Sequence, residues 1–223
     1  MRLPAGFEFA PPERPVTPKD AATVMLVRDR DGHLEVFLQQ RVSAMAFAAG
    51  MTVFPGGAVD RRDADTAVAW AGPDPQYWAE TFGCSAELAR ALVCAAVRET
   101  FEECGVLLAG RSADTVVDDA EEFHDVRRRL VSKELSLAEF LDDAGLVLRA
   151  DLLRPWSSWV TPPQEPKRYD TRFFLAEMPA GQRADGETSE AESTAWARPA
   201  QALADLEAGR RQMLPPTAYT LRE

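Results

Sequence analysis

Histidine and cysteine are scarce in this 223-residue chain: two of the first, His33 and His124, and three of the second, Cys84, Cys94 and Cys104. Two histidines argue against a zinc site built on imidazoles. Three cysteines give no even set for a disulfide framework, so reduced thiols and a cytoplasmic setting are expected. Positive charge is also in deficit, with 25 Lys and Arg against 36 Asp and Glu and a net charge of −11. That excludes the broad cationic footprint of a general nucleic-acid or membrane-surface binder. An anionic small molecule stays compatible where a cation and a few arginines make the local field positive. No apolar run reaches bilayer length, and no basic stretch with an apolar run opens the chain, so neither a membrane span nor a signal peptide is expected. What is present is ordinary for a globular protein: 46% hydrophobic and 27% charged residues, in a chain long enough for one domain with a full core.

Residues 1–20 hold five prolines and little periodicity, which predicts an extended arm before a single domain over 21–223. "AATVMLVRD" and "HLEVFLQQR" flank an Asp-Gly turn and predict a hairpin. A short strand then runs into the loop "FPGGAVD". Residues 61–84, polar and punctuated by "GPDP", read as an irregular insertion. Ser85 caps a helix that Gly105 ends. Residues 110–145 read as helices outside the core, with Ser136 as an N-cap. "RYDTRFFLAEMP" alternates as a strand does. "STAWARP" adds a short strand, Pro199 opens a helix, and "PPTAYTLRE" closes on another. The mixture predicts an α/β (α+β) layered domain with a mixed β-sheet.

The helix before Gly105 ends in "VRETFEECG". With Val97 at zero on a wheel of about 100° per residue, Val93, Phe101 and Cys104 fall within about 40°. Glu102, Glu99 and Glu103 fall near roughly 140°, 200° and 240°, on the opposite side. Two readings follow. One is a solvated face on which Arg98 pairs with Glu102 at i+4. The other is a metal site, since like charges at these spacings repel and clustered carboxylate oxygens suit Mg²⁺ or Mn²⁺. The adjacent glycines Gly56 and Gly57 allow backbone to approach a phosphate or a cation.

"GG" followed by "RETFEECGV" resembles the Nudix box, G-x5-E-x7-R-E-U-x-E-E-x-G-U, with U a bulky apolar residue. Arg98, Glu99, Glu102, Glu103, Gly105 and Val106 match, while Thr100 departs at a U position. Arg98 lies 41 positions after Gly57 rather than 14, an excess of 27. The slot of the first glutamate is Asp63 counted forward from Gly57, or Arg90 counted back from Arg98. A split box resembles the branch containing the peroxisomal coenzyme A diphosphatases, and "VFPGGAVD", "AVRETFEECGVLL", "WVTP", "RYDTRFF" and "LPPT" are similar to that branch.

The resemblance implies a Nudix fold, an α/β/α sandwich with an extra helical insertion. It implies metal ligands at Glu99, Glu102 and Glu103 with the Gly56 carbonyl beside them, and Arg98 orienting a glutamate. It implies cleavage of the diphosphate in a nucleoside diphosphate linked to another moiety, with coenzyme A or acyl-coenzyme A first and ADP-ribose or NADH second. Glu190 and Glu192, just before Trp196, are the candidates for a general base, with Glu103 as the alternative. Gly57, Arg41, Arg168 and Arg172 are the substrate-binding candidates. In the upstream coenzyme A pattern R-S-x3-R-x3-G-x3-F-P-G-G, the residues Arg41, Gly50, Phe54, Pro55, Gly56 and Gly57 fit, while Val42 and Ala46 replace the serine and the second arginine. Trp156, Trp159, Tyr169 and Phe173 stack on a base or pack the core; for Phe173 and Phe174 the core is expected. A non-catalytic Nudix-fold nucleotide sensor is the reading from a different class, and a homodimer is left open.

Overall fold

The computed structural model describes residues 15–43 and 48–223. The expected arm lies outside the described residues as far as position 14, and Ala46 lies outside them too. Lys19 and Asp20, placed in that arm by their sequence, already belong to the first strand.

The chain runs through β1 (Lys19–Arg30), β2 (His33–Arg41), β3 (Thr52–Val53), β4 (Gly56–Ala58), a 3₁₀ turn (Arg61–Ala64), β5 (Trp70–Ala71), α1 (Pro75–Phe82) and α2 (Ala86–Cys104). It continues through β6 (Ala109–Gly110), α3 (His124–Val131), α4 (Leu137–Asp143), β7 (Val147–Arg149), β8 (Leu153–Val160), β9 (Tyr169–Glu177), β10 (Ala191–Ala197), α5 (Pro199–Glu207) and α6 (Pro215–Thr220). The main sheet has the order β10-β2-β1-β9-β8, with β3 attached to β2 and β4 to β1. β1 and β9 are parallel and the other pairs in this sheet are antiparallel, so the sheet is mixed. A small second sheet joins β5, β7 and β6.

The first hairpin splays. β1 pairs with β2 from Val27–Val36 to Arg30–His33. Beyond that, Gln39 and Gln40 pair with β3, while Ala21, Ala22 and Thr23 pair with β4. The wedge holds the Phe54–Pro55–Gly56 turn against the end of α2. Alternation along β1 serves two cores. Ala22, Val24 and Leu26 face α2 and pack with Leu92, Val93, Val97, Phe101 and Phe174. Met25 faces the other way, toward Phe54, Phe173, Ala202 and Leu221. Helices therefore cover both faces, as the α/β/α expectation has it.

The stretch 61–84 is not irregular. Asp74 caps α1 through the Tyr77 amide, and Pro75 occupies the first turn, where its missing N–H removes no helix bond. The "GPDP" that read as a breaker is a helix start. Trp78 is fully buried and packs on Phe82 and Phe174. The helices within 110–145 form as expected, and Ser136 makes a capping box with Glu139. They are part of the core, though: Phe140 stacks on Phe101 at 5.7 Å, and Leu130 and Leu137 are buried.

Candidate active site on the end of helix α2

α2 starts on the Ser85 cap and stops at Gly105, whose φ of 72° is left-handed and whose N–H reaches the Phe101 carbonyl. Val93, Val97, Phe101 and Cys104 are all fully buried, the face the wheel assigns to the core. The opposite face is not solvated. Glu103 is 5% exposed, because the glycine turn and the 61–64 segment close over this side of the helix.

Arg98 organises the corner. Its Nε and Nη2 donate to Asp63 Oδ1 and Oδ2, both at 2.9 Å. Nη1 donates to Glu99 Oε1 at 2.8 Å and Glu102 Oε1 at 3.3 Å, and Nη2 also to the Ala58 carbonyl at 3.1 Å. The i+4 pair with Glu102 exists, but as the longest of these contacts. Asp63, 3% exposed, occupies the place that the count forward from Gly57 gives it, and its partner is the Arg98 guanidinium. Arg90, reached by the backward count, sits elsewhere, over the Trp70 ring at 5.0 Å.

Glu103 points at the turn, and its Oε2 accepts the Gly56 N–H at 2.9 Å. Burial, with the Glu99 charge beside it, holds its carboxyl well above the usual range. Burial also raises Glu99 to about 7 and shifts Glu102 upward. Glu99 lies directly on Gly57: a Cβ there would sit 2.5 Å from Glu99 Oε1. Three carboxylates thus meet one guanidinium, with the Glu103 carboxyl on the adjacent turn, in a corner largely closed to water. An excess of buried negative charge is costly without a counter-ion, and an all-oxygen donor set fits a hard divalent cation. Among the described residues no three acidic, imidazole or thiol groups are drawn into a ready cage; Arg98 draws Glu99 and Glu102 to itself while Glu103 faces Gly56.

The remaining candidates divide. Arg41 donates to Glu190 Oε2 at 2.9 Å, so a binding candidate and the base candidate hold each other. Glu192 accepts from the Ser43 amide and hydroxyl, both at 3.1 Å. Arg168 donates to the Thr161 and Val16 carbonyls, which ties down a strand end. Arg172 pairs with Asp170 and lies 6.0 Å over the Phe82 ring; none of its contacts reaches the acid cluster. Phe173 and Phe174 are core residues, as expected. Trp159 packs edge-on against Tyr219 at 5.5 Å, and Trp156 is 41% exposed.

Two contributors escaped the sequence reading. Gln39, 2% exposed, donates to the Glu103 carbonyl at 3.4 Å; a glutamine on the buried side of an apolar strand was the available signal. Arg127, the first residue of "RRR", donates through Nε to the Glu102 carbonyl at 3.0 Å. Only its helical spacing from Leu130 sets it apart from its neighbours in the sequence.

Comparison with known proteins bears on the family and the fold. The profile of the NUDT19 Nudix domain matches residues 83–223. A Caenorhabditis elegans protein named as a nudix hydrolase is 27% identical over 186 residues, covering 83% of this chain and 54% of that protein. The protein named acyl-coenzyme A diphosphatase NUDT19 of Xenopus laevis is 24% identical over 222 residues, 84% of this chain and 58% of its own length. The chain thus spans somewhat over half the length of these relatives. A crystal structure of a NUDIX hydrolase from Alicyclobacillus acidocaldarius superposes with a TM-score of 0.73 at 27% identity, covering 92% of this chain and 90% of that one. With an acid-bearing helix seated on a diglycine turn, and a family profile over more than half of its length, the chain belongs to the Nudix superfamily, in its NUDT19-like branch.

Proposed function

We propose that this domain is a metal-dependent diphosphatase that splits a nucleoside diphosphate linked to another moiety, with coenzyme A or acyl-coenzyme A as the leading substrate class. The carrying observation is the buried acid cluster of Glu99, Glu102 and Glu103 packed against Gly56 and Gly57. A bound Mg²⁺ or Mn²⁺ would supply charge neutralisation on the diphosphate and a more acidic water. Glu99, Glu102, Glu103 and the Gly56 carbonyl would hold it. Arg98, fixed by Asp63, sets the rotamers of Glu99 and Glu102. Gly57 leaves room for Glu99, and Arg41, paired with Glu190, supplies the cation for the substrate. Glu190 takes a proton on its carboxylate as a water oxygen bonds to phosphorus and the bridging P–O bond breaks, releasing a phosphate monoester. At 47% side-chain exposure, Glu190 is open enough to exchange that proton with solvent.

Support for coenzyme A comes from Arg41, Gly50 and the "FPGG" turn at their pattern spacing, and from relatives named acyl-coenzyme A diphosphatases. The alanine in the second arginine slot keeps ADP-ribose and NADH as the second reading. The test is turnover of coenzyme A, acyl-coenzyme A, ADP-ribose and NADH with Mg²⁺, with Mn²⁺ and with chelator. Metal-dependent cleavage of one of them is expected, with Glu102→Gln and Glu103→Gln each losing it while the far-UV circular dichroism stays unchanged. Binding of a nucleotide without turnover of any would instead favour a sensor.

A further inference from the structure

Segment 185–190 runs from the end of α2 to Glu190, and both of its ends are fixed from outside. At the far end, Val42 N–H donates to the Glu190 carbonyl at 3.0 Å and Arg41 holds the carboxylate. Gln39 and Arg41 share one face of β2. One reaches the Glu103 carbonyl and the other the Glu190 carboxylate, so the strand brings the two glutamates to the same place.

The near end is fixed by Arg127 of α3. Nη1 and Nη2 grip Asp185 Oδ2 and Oδ1 at 2.7 and 2.9 Å, and Nη2 also donates to the Glu187 carbonyl at 3.3 Å. Nε meanwhile holds the Glu102 carbonyl. Asp185 completes the joint: its N–H donates to the Cys104 carbonyl at 3.0 Å, and its Oδ1 accepts the Glu187 N–H at 2.9 Å. The Arg127 side chain is 6% exposed and that of Asp185 is 38% exposed, so the guanidinium is fixed from inside the fold while its partner stands at the surface. A bidentate guanidinium–carboxylate pair fixes direction as well as distance. Gly105 is needed for the approach, since a Cβ there would lie 2.6 Å from Asp185 Oδ2.

We propose that Arg127 is a positioning residue: one guanidinium ties the carbonyl of Glu102 on the acid-bearing helix to the segment that delivers Glu190, and so sets the spacing between the ligand carboxylates and the base. The helices at 110–145 then act on the reaction through a side chain that touches no substrate. The inference rests on the diphosphatase reading, and on Glu190 as base. Misplacement of a catalytic group by about 1 Å, or loss of a supporting hydrogen bond, lowers turnover by roughly 10- to 100-fold.

The experiment is a double-mutant cycle on the diphosphate substrate that wild type cleaves, with amide hydrogen exchange measured on the same proteins. Arg127→Ala is expected to lower kcat by roughly 10- to 100-fold, with KM within about threefold and faster exchange confined to 185–190. In a Glu190→Gln background the same change is expected to lower kcat by less than about threefold, because both act through one group. Arg127→Lys, which keeps the charge and loses the fork, is expected to fall between. Equal losses in both backgrounds, or unchanged exchange at 185–190, overturn the proposal. Wild type inactive on every diphosphate sinks the parent reading, whereas active wild type with additive losses sinks the positioning role alone.

Discussion

Replacing Asp63 by asparagine separates the partner role of this residue from that of a metal ligand. The carboxylate is 3% exposed; it accepts two bonds from Arg98, itself 8% exposed, and a third from the Asp60 N–H at 2.7 Å. Removing one member of a buried pair costs about 3–5 kcal/mol, because the survivor keeps its desolvated charge. Asparagine retains one acceptor, and Arg98 retains Glu99 at 2.8 Å, so the expected loss is smaller, about 2–3 kcal/mol. For a chain of this size that is a drop in Tm of about 4–12 °C. The assay is urea denaturation in chelator, with the midpoint lowered and the slope unchanged. A metal ligand behaves in the opposite way: without metal, deleting one carboxylate from an acid cluster relieves repulsion and leaves stability equal or higher. Stability of Asp63→Asn within about 0.5 kcal/mol of wild type, the range of ordinary surface changes, refutes the reasoning.

The two glycines of the turn are expected to fail differently. At Gly57 the nearest atoms to an added Cβ are those of the Glu99 carboxyl group rather than backbone, so Gly57→Ala should keep its Tm within about 2 °C and lose turnover by roughly 10-fold or more. A Cβ at Gly56 strikes the backbone of Ala22 and Thr23, so Gly56→Ala should lose stability as well, which thermal melts and initial rates together resolve. Protonation gives a third test. Glu99 is raised to about 7 from an ordinary 4.5, so between those values the folded state holds a proton that the unfolded state has released. Stability of the metal-free protein should therefore fall as pH rises from about 5 to 7, and added Mg²⁺ should flatten the slope; a Tm rising over that range in chelator contradicts it. Alkylation gives a fourth. Cys94 and Cys104 are fully buried and burial pushes the Cys94 thiol up to about 12, so mass spectrometry after iodoacetamide at neutral pH should find label on half-buried Cys84 first and on all three only in denaturant.

Much of this was legible along the chain, and the failures share a cause. Ser85, Ser136 and Gly105 announce helix ends because caps are local chemistry. The α2 core stripe was legible because period 3.6 needs no partner. On the acid face the helix pattern alone left a solvated surface and a metal site both open, because what covers it, the 61–64 turn and the glycine loop, is distant or disguised in sequence. Trp78 looked like part of an insertion because nothing local says that it packs on Phe174, nearly a hundred positions later. Arg168 and Arg172 stood in an attractive motif, yet one donates to backbone carbonyls and the other pairs through Nη1 with a neighbouring aspartate. Gln39 and Arg127 were missed for the reverse reason: each acts through the carbonyl of another residue, and backbone partners leave no mark on residue type.

α2 also has a polarity. Its aligned peptide units place a fractional negative charge, roughly half an electron, at the C-terminal end. Helices usually answer this with lysine or arginine in the last turn, yet α2 has no basic residue there and carries Glu102 and Glu103 instead. The counter-pole is borrowed from α3, since Arg127 meets the Glu102 carbonyl. The acids thus sit at the pole that favours them least. Taken as an isolated peptide, this helix would fray from the end that matters. Held by the fold, the same end is a region of negative potential, which on the proposed function would draw a cation in before any ligand bond forms, so that the helix would contribute to recruitment through its direction as well as its side chains.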